Sequence, residues 1–475
     1  MLEQQNTQQY REGVVEKTFI TGVEGLDKLL GEISAPYTLL VEGHPGAGKT
    51  TLAVTICYKN ALRGKKCLYV SFYEDKEKLY KYMKKLGMNL AEVEAKGLLK
   101  FIRLPVSRDV DALVEALSAS IQEGFDVVVV DSISVLLEAV ESSAEKRAWL
   151  LNYFFQLAAL LNGLVVLVAE LPFGEQRLSS SSIEFVVDAA LIMKYKLVDG
   201  VLTRYIELRK ARGVSLHVVE APFTIVDKRG IIAYVQPLVE EIPGESMEMS
   251  FPCSIIAEKM GHVHKNFFVN MFFPPETIYG RELLLLLLAL AIKYNLKVLV
   301  VSYTTPPEQL KEAIVNLVAG SNGEARRAVK ELLCKHFVFR AINPLARSIQ
   351  ELAMEEVALI EEVKPDIVVF HGIQVLELPG YNLPELYKQV TYLKSKNIGV
   401  VRIGSCINEE VCKGVLSISD MSFRTIREFK NGKFETYVLV YRRFRPPTAV
   451  SYEEFSKCIE EARNYVLSEV FKAKG

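Results

Sequence analysis

Gly43-His44-Pro45-Gly46-Ala47-Gly48-Lys49-Thr50 follows the phosphate-loop pattern G-x-x-x-x-G-K-[ST]. The glycines let the main chain curl and aim its N–H groups inward, and a helix starting at the end of the loop adds partial positive charge. Such a cradle suits phosphate oxygens. Lys49 has the reach for β- and γ-phosphates, and the Thr50 hydroxyl suits Mg²⁺. The binding set is therefore Gly43, His44, Pro45, Gly46, Ala47, Gly48, Lys49, Thr50 and Thr51, with ATP and Mg²⁺ as the implied ligands.

Phosphoryl chemistry needs more than a cradle. Asp131 closes the apolar run Val127-Val128-Val129-Val130, where an acid can organise Mg²⁺ together with Thr50. A group must also orient the attacking water. Glu74, in Ser71-Phe72-Tyr73-Glu74-Asp75, is the candidate, and Glu170 is a second. Glu74 and Asp75 are equally suited to opening a helix, where acids favour the dipole. Lys210 and Arg212, in Arg209-Lys210-Ala211-Arg212-Gly213, share one side of an extended strand. They could stabilise charge on a transferring phosphoryl group, in cis or across a subunit boundary, or simply be solvated. The candidate catalytic set is Lys49, Glu74, Asp131, Lys210 and Arg212, with Thr50 and Asp131 as metal ligands.

These residues need strands and helices to position them. Thr38–Glu42, Cys67–Phe72, Leu99–Arg103, Val127–Asp131, Leu164–Ala169 and Ala190–Tyr195 read as strands. Lys76–Leu86, Val110–Glu123 and the stretch from Thr51 to Leu62 read as helices. Continuous Val/Leu runs suit strands buried on both faces of a parallel sheet, and alternating β and α elements predict a doubly wound α/β domain. Ligands in such sheets bind beyond the carboxyl ends of the strands. That is where Lys49 and Asp131 would meet.

The second half repeats the layout. Phe125–Leu136 can be laid on Pro365–Leu376, Lys66–Phe72 on Lys297–Tyr303, and Phe101–Arg103 on Val338–Arg340. Ordered matches of this kind predict an internal duplication. The charged, turn-forming stretch Glu240–Glu245 marks the boundary, giving domains 1–240 and 241–475. The chemistry is not repeated. Phe273–Glu282 keeps no Gly-Lys-Thr triplet, and His371 stands in the place of Asp131. Arg443-Phe444-Arg445 is expected in the place of Lys210-Ala211-Arg212. Ser417–Asp420 reads as a loop or strand end.

Composition narrows the class. At 475 residues the chain has room for two to four domains, and 50% hydrophobic residues supply real cores. A net charge of -1 argues against a strongly basic nucleic-acid binder. Seven cysteines without C-x-x-C spacing read as reduced intracellular thiols, with Cys406 and Cys412 structural. The polar start has no signal-peptide core. The run Leu283–Ile292 is too short to span a bilayer and reads as a buried helix. A cytoplasmic protein without membrane insertion is expected. His262 and His264 share a strand face but lack a nearby third ligand, so they read as ordinary core or surface histidines. Ser451–Lys474 reads as a helix opened by a capping box, Ser451 with Glu454.

Taken together, the sequence resembles the KaiC-like branch of the RecA superfamily of phosphate-loop ATPases. The resemblance rests on Thr21–Gly31, the loop Gly43–Thr50, Asp131-Ser132, Glu184–Asp188, Leu208–Gly213 and Ala221–Ile225. It implies two tandem RecA-like α/β domains, each a mostly parallel sheet flanked by helices, the second degenerate. It implies a homo-oligomer, by resemblance a hexameric ring with ATP between subunits, in which Lys210 and Arg212 match a K-x-R motif reaching the neighbour's γ-phosphate. The family usually carries two adjacent Glu after the second strand, whereas this chain has Tyr73-Glu74. Slow hydrolysis coupled to assembly or to a protein partner is the leading expectation. A non-hydrolysing ATP-dependent scaffold is the alternative, followed by a DNA recombination or repair ATPase and, last, an autokinase.

Overall fold

The computed structural model describes residues 17–105, 109–140, 142–171, 182–198, 201–214, 220–233, 235, 239–274, 281–346, 348–376, 383–430 and 432–472. The polar N-terminal run and residues 275–280 of the second-half junction lie outside them. The chain separates into two compact units that divide between Val235 and Gln236.

The first unit is built on nine strands: β1 (Tyr37–Gly43), β2 (Cys67–Ser71), β3 (Leu99–Arg103), β4 (Val127–Asp131), β5 (Leu164–Glu170), β6 (Ala189–Val198), β7 (Val201–Ala211), β8 (Glu220–Val226) and β9 (Gly230–Ala233). Their order is β3-β2-β4-β5-β1-β6-β7-β8-β9. β1 to β6 run parallel, and β7 to β9 return antiparallel. Val127 to Val130 are wholly buried because helices cover both faces. Alternation along β1 sends Leu39 and Val41 toward α1 (Lys49–Leu62). Leu40 goes to the opposite core, beneath α3 (Val110–Ile121) and α4 (Ala144–Leu161). α2 (Lys76–Lys85) follows β2, and the short α5 (Ser182–Val186) precedes β6.

The large sheet of the second unit has eight strands: β10 (Phe268–Phe273), β11 (Val298–Ser302), β12 (Phe337–Ala341), β13 (Ile367–His371), β14 (Gly399–Ser405), β15 (Met421–Lys430), β16 (Lys433–Arg442) and β17 (Thr448–Ser451). Their order is β12-β11-β13-β14-β10-β15-β16-β17, so each takes the place of the strand nine numbers lower in the first sheet. The two units are tandem RecA-like α/β domains. Edge hydrogen bonds match as well. Asp126 Oδ2 accepts from Lys66 N at 2.9 Å, and Asp366 Oδ2 accepts from Lys297 N at 2.8 Å. α6 (Arg281–Tyr294) follows β10, with Leu283 to Ala291 all buried, as expected for that apolar run. α7 (Tyr452–Lys472) follows β17 and opens with the expected reciprocal cap: Glu454 N donates to Ser451 Oγ at 3.1 Å, and Ser451 N donates to Glu454 Oε2 at 2.8 Å. No helix among the described residues is long and apolar enough to cross a membrane.

Three expectations need correction. First, Arg443, not Arg445, occupies the place of Arg212. Arg212 N donates to Asp188 O at 2.9 Å, and Arg443 N donates to Asp420 O at 3.0 Å. Lys210 faces Ala190 while Leu208 faces Leu191, so Arg209 is an extra residue that shifts a simple sequence count. Second, Ser417 and Ile418 end the helix Glu409–Ile418 and do not form a loop or strand end. Third, not all thiols are reduced. Cys253 pairs with Cys458, and Cys406 with Cys412, while Cys57, Cys67 and Cys334 are free. Cys253 caps the helix Ser254–Met260, and packing of α7 on that helix brings Cys458 to a Cα separation of 5.1 Å across 205 residues of sequence. No local spacing reveals such a pair.

Candidate active site

β1 ends at Gly43 and α1 begins at Lys49, so the loop between them crosses the carboxyl edge of the sheet. β6 runs so close that a Cβ on Gly43 would sit 2.4 Å from the Met193 carbonyl oxygen. Gly48 has φ +107°, which only glycine adopts without strain. These two glycines are therefore required by geometry as well as by motif.

Lys49 is buried and donates from Nζ to His44 O at 3.1 Å, arching back over its own loop. Burial lowers its pKa, and the charges of Glu170 and Asp131 partly restore it. Thr50 Oγ1 donates to Asp131 Oδ2 at 2.9 Å. Tyr69, buried on β2, donates to the same oxygen at 2.6 Å. Burial raises the Asp131 carboxyl, while the bonds from Tyr69 and Thr50 and the charge of Lys49 hold it down. The Thr50 hydroxyl and Asp131 carboxylate are hard oxygen donors side by side, a set that fits Mg²⁺.

Glu74 is half-buried, and its N–H donates to Ser71 Oγ at 2.9 Å. Its charge pushes the Asp131 pKa upward, so it stands within electrostatic reach of the centre. Asp75 takes the helix-opening role, accepting from Lys78 N at the start of α2. Glu170, exposed at the end of β5, acts on Lys49 by charge. His44 Nδ1 lies 3.3 Å from Leu171 O, and Thr51 O accepts from Thr55 Oγ1 at 2.7 Å inside α1.

Lys210 and Arg212 are not brought to this loop. Lys210 faces Ala190, which faces Leu40, three residues before Gly43 and about 10 Å back along the strand. Asp188 N donates to Thr38 O, which places Arg212 further back still, about 17 Å along β1 from Gly43. Both cations are held within their own unit. Lys210 Nζ donates to the carbonyls of Glu184 and Phe185 at 2.9 Å, capping α5, and Arg212 pairs with Asp188 at 3.1 Å.

Sequence reasoning missed two residues. Tyr69 lies inside an apolar strand and reads as core. Glu42 is fully buried one residue before the loop, with neither carboxylate oxygen hydrogen-bonded. Burial pushes its pKa up to about 7, Glu184 adds to this, and Arg209 opposes it. An acid closing the otherwise apolar run Thr38–Val41 was the available signal. In the second unit Ser302 Oγ lies 3.2 Å from His371 Nδ1, and burial lowers the His371 pKa to about 4, leaving a neutral imidazole where the first unit has Asp131. His262 Nδ1 lies 2.9 Å from Ser250 Oγ, and His264 Nδ1 lies 2.9 Å from Ser246 O.

Strand order, loop and strand-end acid together define a phosphate-loop domain of RecA type. Residues 19–237 match the family model described as KaiC ATPase. The chain is 28% identical over 235 residues to a UPF0273 protein of Thermotoga maritima, covering 45% of this chain and 94% of that protein. It is 26% identical over 250 residues to a UPF0273 protein of Pyrococcus horikoshii, covering 48% of this chain and 98% of that one. It is also 28% identical over 228 residues to the circadian clock protein KaiC3 of Synechocystis, covering 45% of this chain and 44% of that one. The first unit belongs to the KaiC-like branch of the RecA superfamily of phosphate-loop ATPases.

Proposed function

We propose that the first unit binds Mg·ATP and hydrolyses it slowly, with nucleotide state governing self-assembly or contact with a protein partner. The observation that carries this reading is the Thr50–Asp131 bond at the foot of a glycine-shaped loop whose lysine is already seated. Lys49 and the loop N–H groups would hold the β- and γ-phosphates. Thr50 and Asp131 would hold Mg²⁺, which when bound neutralises charge on the phosphate oxygens. A Glu74 carboxylate oxygen would orient the attacking water and take its proton. Because Lys210 and Arg212 lie far from their own loop, they suit a neighbour's γ-phosphate, which requires a closed assembly, hexameric by resemblance. On this reading the protein works in the cytoplasm, where ATP is, and neither nucleic acid nor membrane is needed.

The test is Mg²⁺-dependent ATP hydrolysis by wild type, Lys49→Ala and Glu74→Gln. Turnover in wild type that is lost in both variants supports the reading. One feature favours the non-hydrolysing alternative: Tyr73, exposed, stands where the family usually carries the first of two acids. Tight ATP binding without phosphate release by wild type would establish that alternative and sink the enzyme.

A further inference from the structure

α2 carries a concentrated charge. Its 10 residues, Lys76–Lys85, include Lys76, Lys78, Lys81, Lys84 and Lys85 against one acid, Glu77. Leu79 and Met83 turn inward and anchor it. Lys78, Lys81 and Lys85 follow one another at spacings of three and four, so they share the outward face and span about 10 Å along the axis. All three are exposed, as is Tyr82 among them, and Lys78 Nζ lies 5.9 Å from the centre of the Tyr82 ring. The turn between β8 and β9 extends this face. Lys228 N donates to Lys85 O at 2.8 Å, and a Cβ on Gly87 would lie 2.3 Å from Lys228 O. Lys228 is held at φ +63°, a conformation uncommon for a lysine. The turn adds Lys228 and Arg229, both exposed, with Asp227 as the acid beside them.

Other lysines of this region have acids of their own. Lys76 pairs with Glu94 at 2.6 Å, Lys96 with Glu92 at 2.7 Å, and Lys100 with Glu123. Among the described residues no acid pairs with Lys78, Lys81, Lys84, Lys85, Lys228 or Arg229. The helix dipole accounts for part of the pattern. It favours Lys84 and Lys85 in the last turn and disfavours Lys78 in the first. The fold itself does not ask for lysines here. β11 takes the place of β2, and the helix after it, Pro307–Ala319, has one lysine, Lys311, tied to Glu308 at 2.7 Å. With the whole chain at a net charge of -1, the stripe is a local feature and not general basicity.

Unpaired cations on one face attract a polyanion. The form of this face favours carboxylates over a nucleic-acid backbone. It is the convex outer side of a helix, whereas single strands are tracked by a basic groove. Its cations are lysines apart from Arg229, and lysine is a compact point charge where arginine is the better fit to phosphate. We propose that the outward face of α2, together with the β8–β9 turn, docks an acidic segment of a partner protein. This rests on the proposed function for the existence of a partner and names that partner's chemistry. Binding is measured without nucleotide, so either reading can fail alone.

Fluorescence anisotropy of the full chain with labelled deca-glutamate, in about 50 mM salt, tests this. Saturable binding with Kd near about 100 μM is expected, weakening at least about tenfold in about 500 mM salt. The combined reversal Lys78→Glu, Lys81→Glu and Lys85→Glu should weaken it at least about tenfold, and Lys311→Glu on the matching helix of the second unit should leave it unchanged. Tyr82 could also stack a base, so labelled deca-uridylate is the rival probe. No saturation below about 1 mM, tighter binding of deca-uridylate than of deca-glutamate, or equal loss in the triple variant and Lys311→Glu would overturn the proposal. So would indifference to the triple reversal. If that variant does not fold, judged by circular dichroism, the pair Lys81→Ala and Lys85→Ala, which keeps good helix formers, decides: a loss of at least about threefold supports the proposal and unchanged affinity overturns it.

Discussion

The Tyr69 hydroxyl donates to Asp131 Oδ2 at 2.6 Å from within the core of the first unit. Thr50 donates to the same oxygen, so the acid at the end of β4 is oriented from below by a phenol and from the loop side by a threonine. Both bonds favour the ionised carboxylate that burial disfavours.

Tyr69→Phe should therefore raise the Asp131 pKa. Ionisation of Asp131 would need higher pH, so the acid limb of the pH profile for ATP hydrolysis should move upward while the alkaline limb stays. Stability should fall by about 1 kcal/mol, the usual value of one such bond. A pH–rate profile beside a thermal melt checks both, and an unmoved acid limb would show that Tyr69 is packing alone.

Glu42 gives a second pH effect with a definite sign. Its folded pKa, about 7, lies above the ordinary 4.5. The neutral form's advantage is fully present below the ordinary value and is lost as pH rises through about 7. Glu42→Gln should match or trail wild type at pH 4 and overtake it by pH 8, by at most about 3 kcal/mol. The burial cost of the glutamine amide does not depend on pH, so chemical denaturation of both proteins at the two pH values isolates the charge.

The distance of Lys210 from its own loop predicts complementation. Lys210→Ala and Lys49→Ala should each be inactive alone. Mixed and reassembled at equal concentration, they should recover about a quarter of wild-type turnover, the share of interfaces joining an intact loop to an intact Lys210. Zero recovery in mixtures shown to co-assemble would mean that Lys210 acts within its own chain or not at all.

The Cys253–Cys458 bond closes a loop of 205 residues, so its removal acts mainly on the unfolded chain. Cys458→Ser should lower the stability of the second unit by at most about 5 kcal/mol and leave ATP binding by the first unit intact. Non-reducing peptide mapping should recover the two cysteines in one cross-linked fragment.

Much of this molecule was legible in its residues. Val127–Asp131 was bounded correctly because a central strand of a parallel sheet follows its apolar run, while Leu99–Arg103 lies at the sheet edge, where Lys100 and Arg103 are tolerated. The meeting of the loop with the end of β4 was legible from the motif and the apolar run, and the structure brings Thr50 Oγ1 to 2.9 Å from Asp131 Oδ2. Tyr69 was hidden because a tyrosine in an apolar strand looks the same whether or not its hydroxyl serves an acid. The Arg443 register was hidden because Arg443-Phe444-Arg445 imitates the spacing of Lys210-Ala211-Arg212, and the extra residue at Arg209 shifts the count by one more. Cys253 and Cys458 meet only through helix packing, which no spacing rule encodes.

Arg212 pairs with Asp188 in the half that keeps a phosphate loop, and Arg443 lies 3.7 Å from Asp420 in the half that has none. In the second half, whose sequence keeps no Gly-Lys-Thr triplet at the matching junction, the pair still rivets the returning strand to the amino margin of the sheet. An arginine at this seam is thus a carpenter's joint before it is a reagent. A mutation there in either half tests how the sheet is fastened as well as what the chemistry requires.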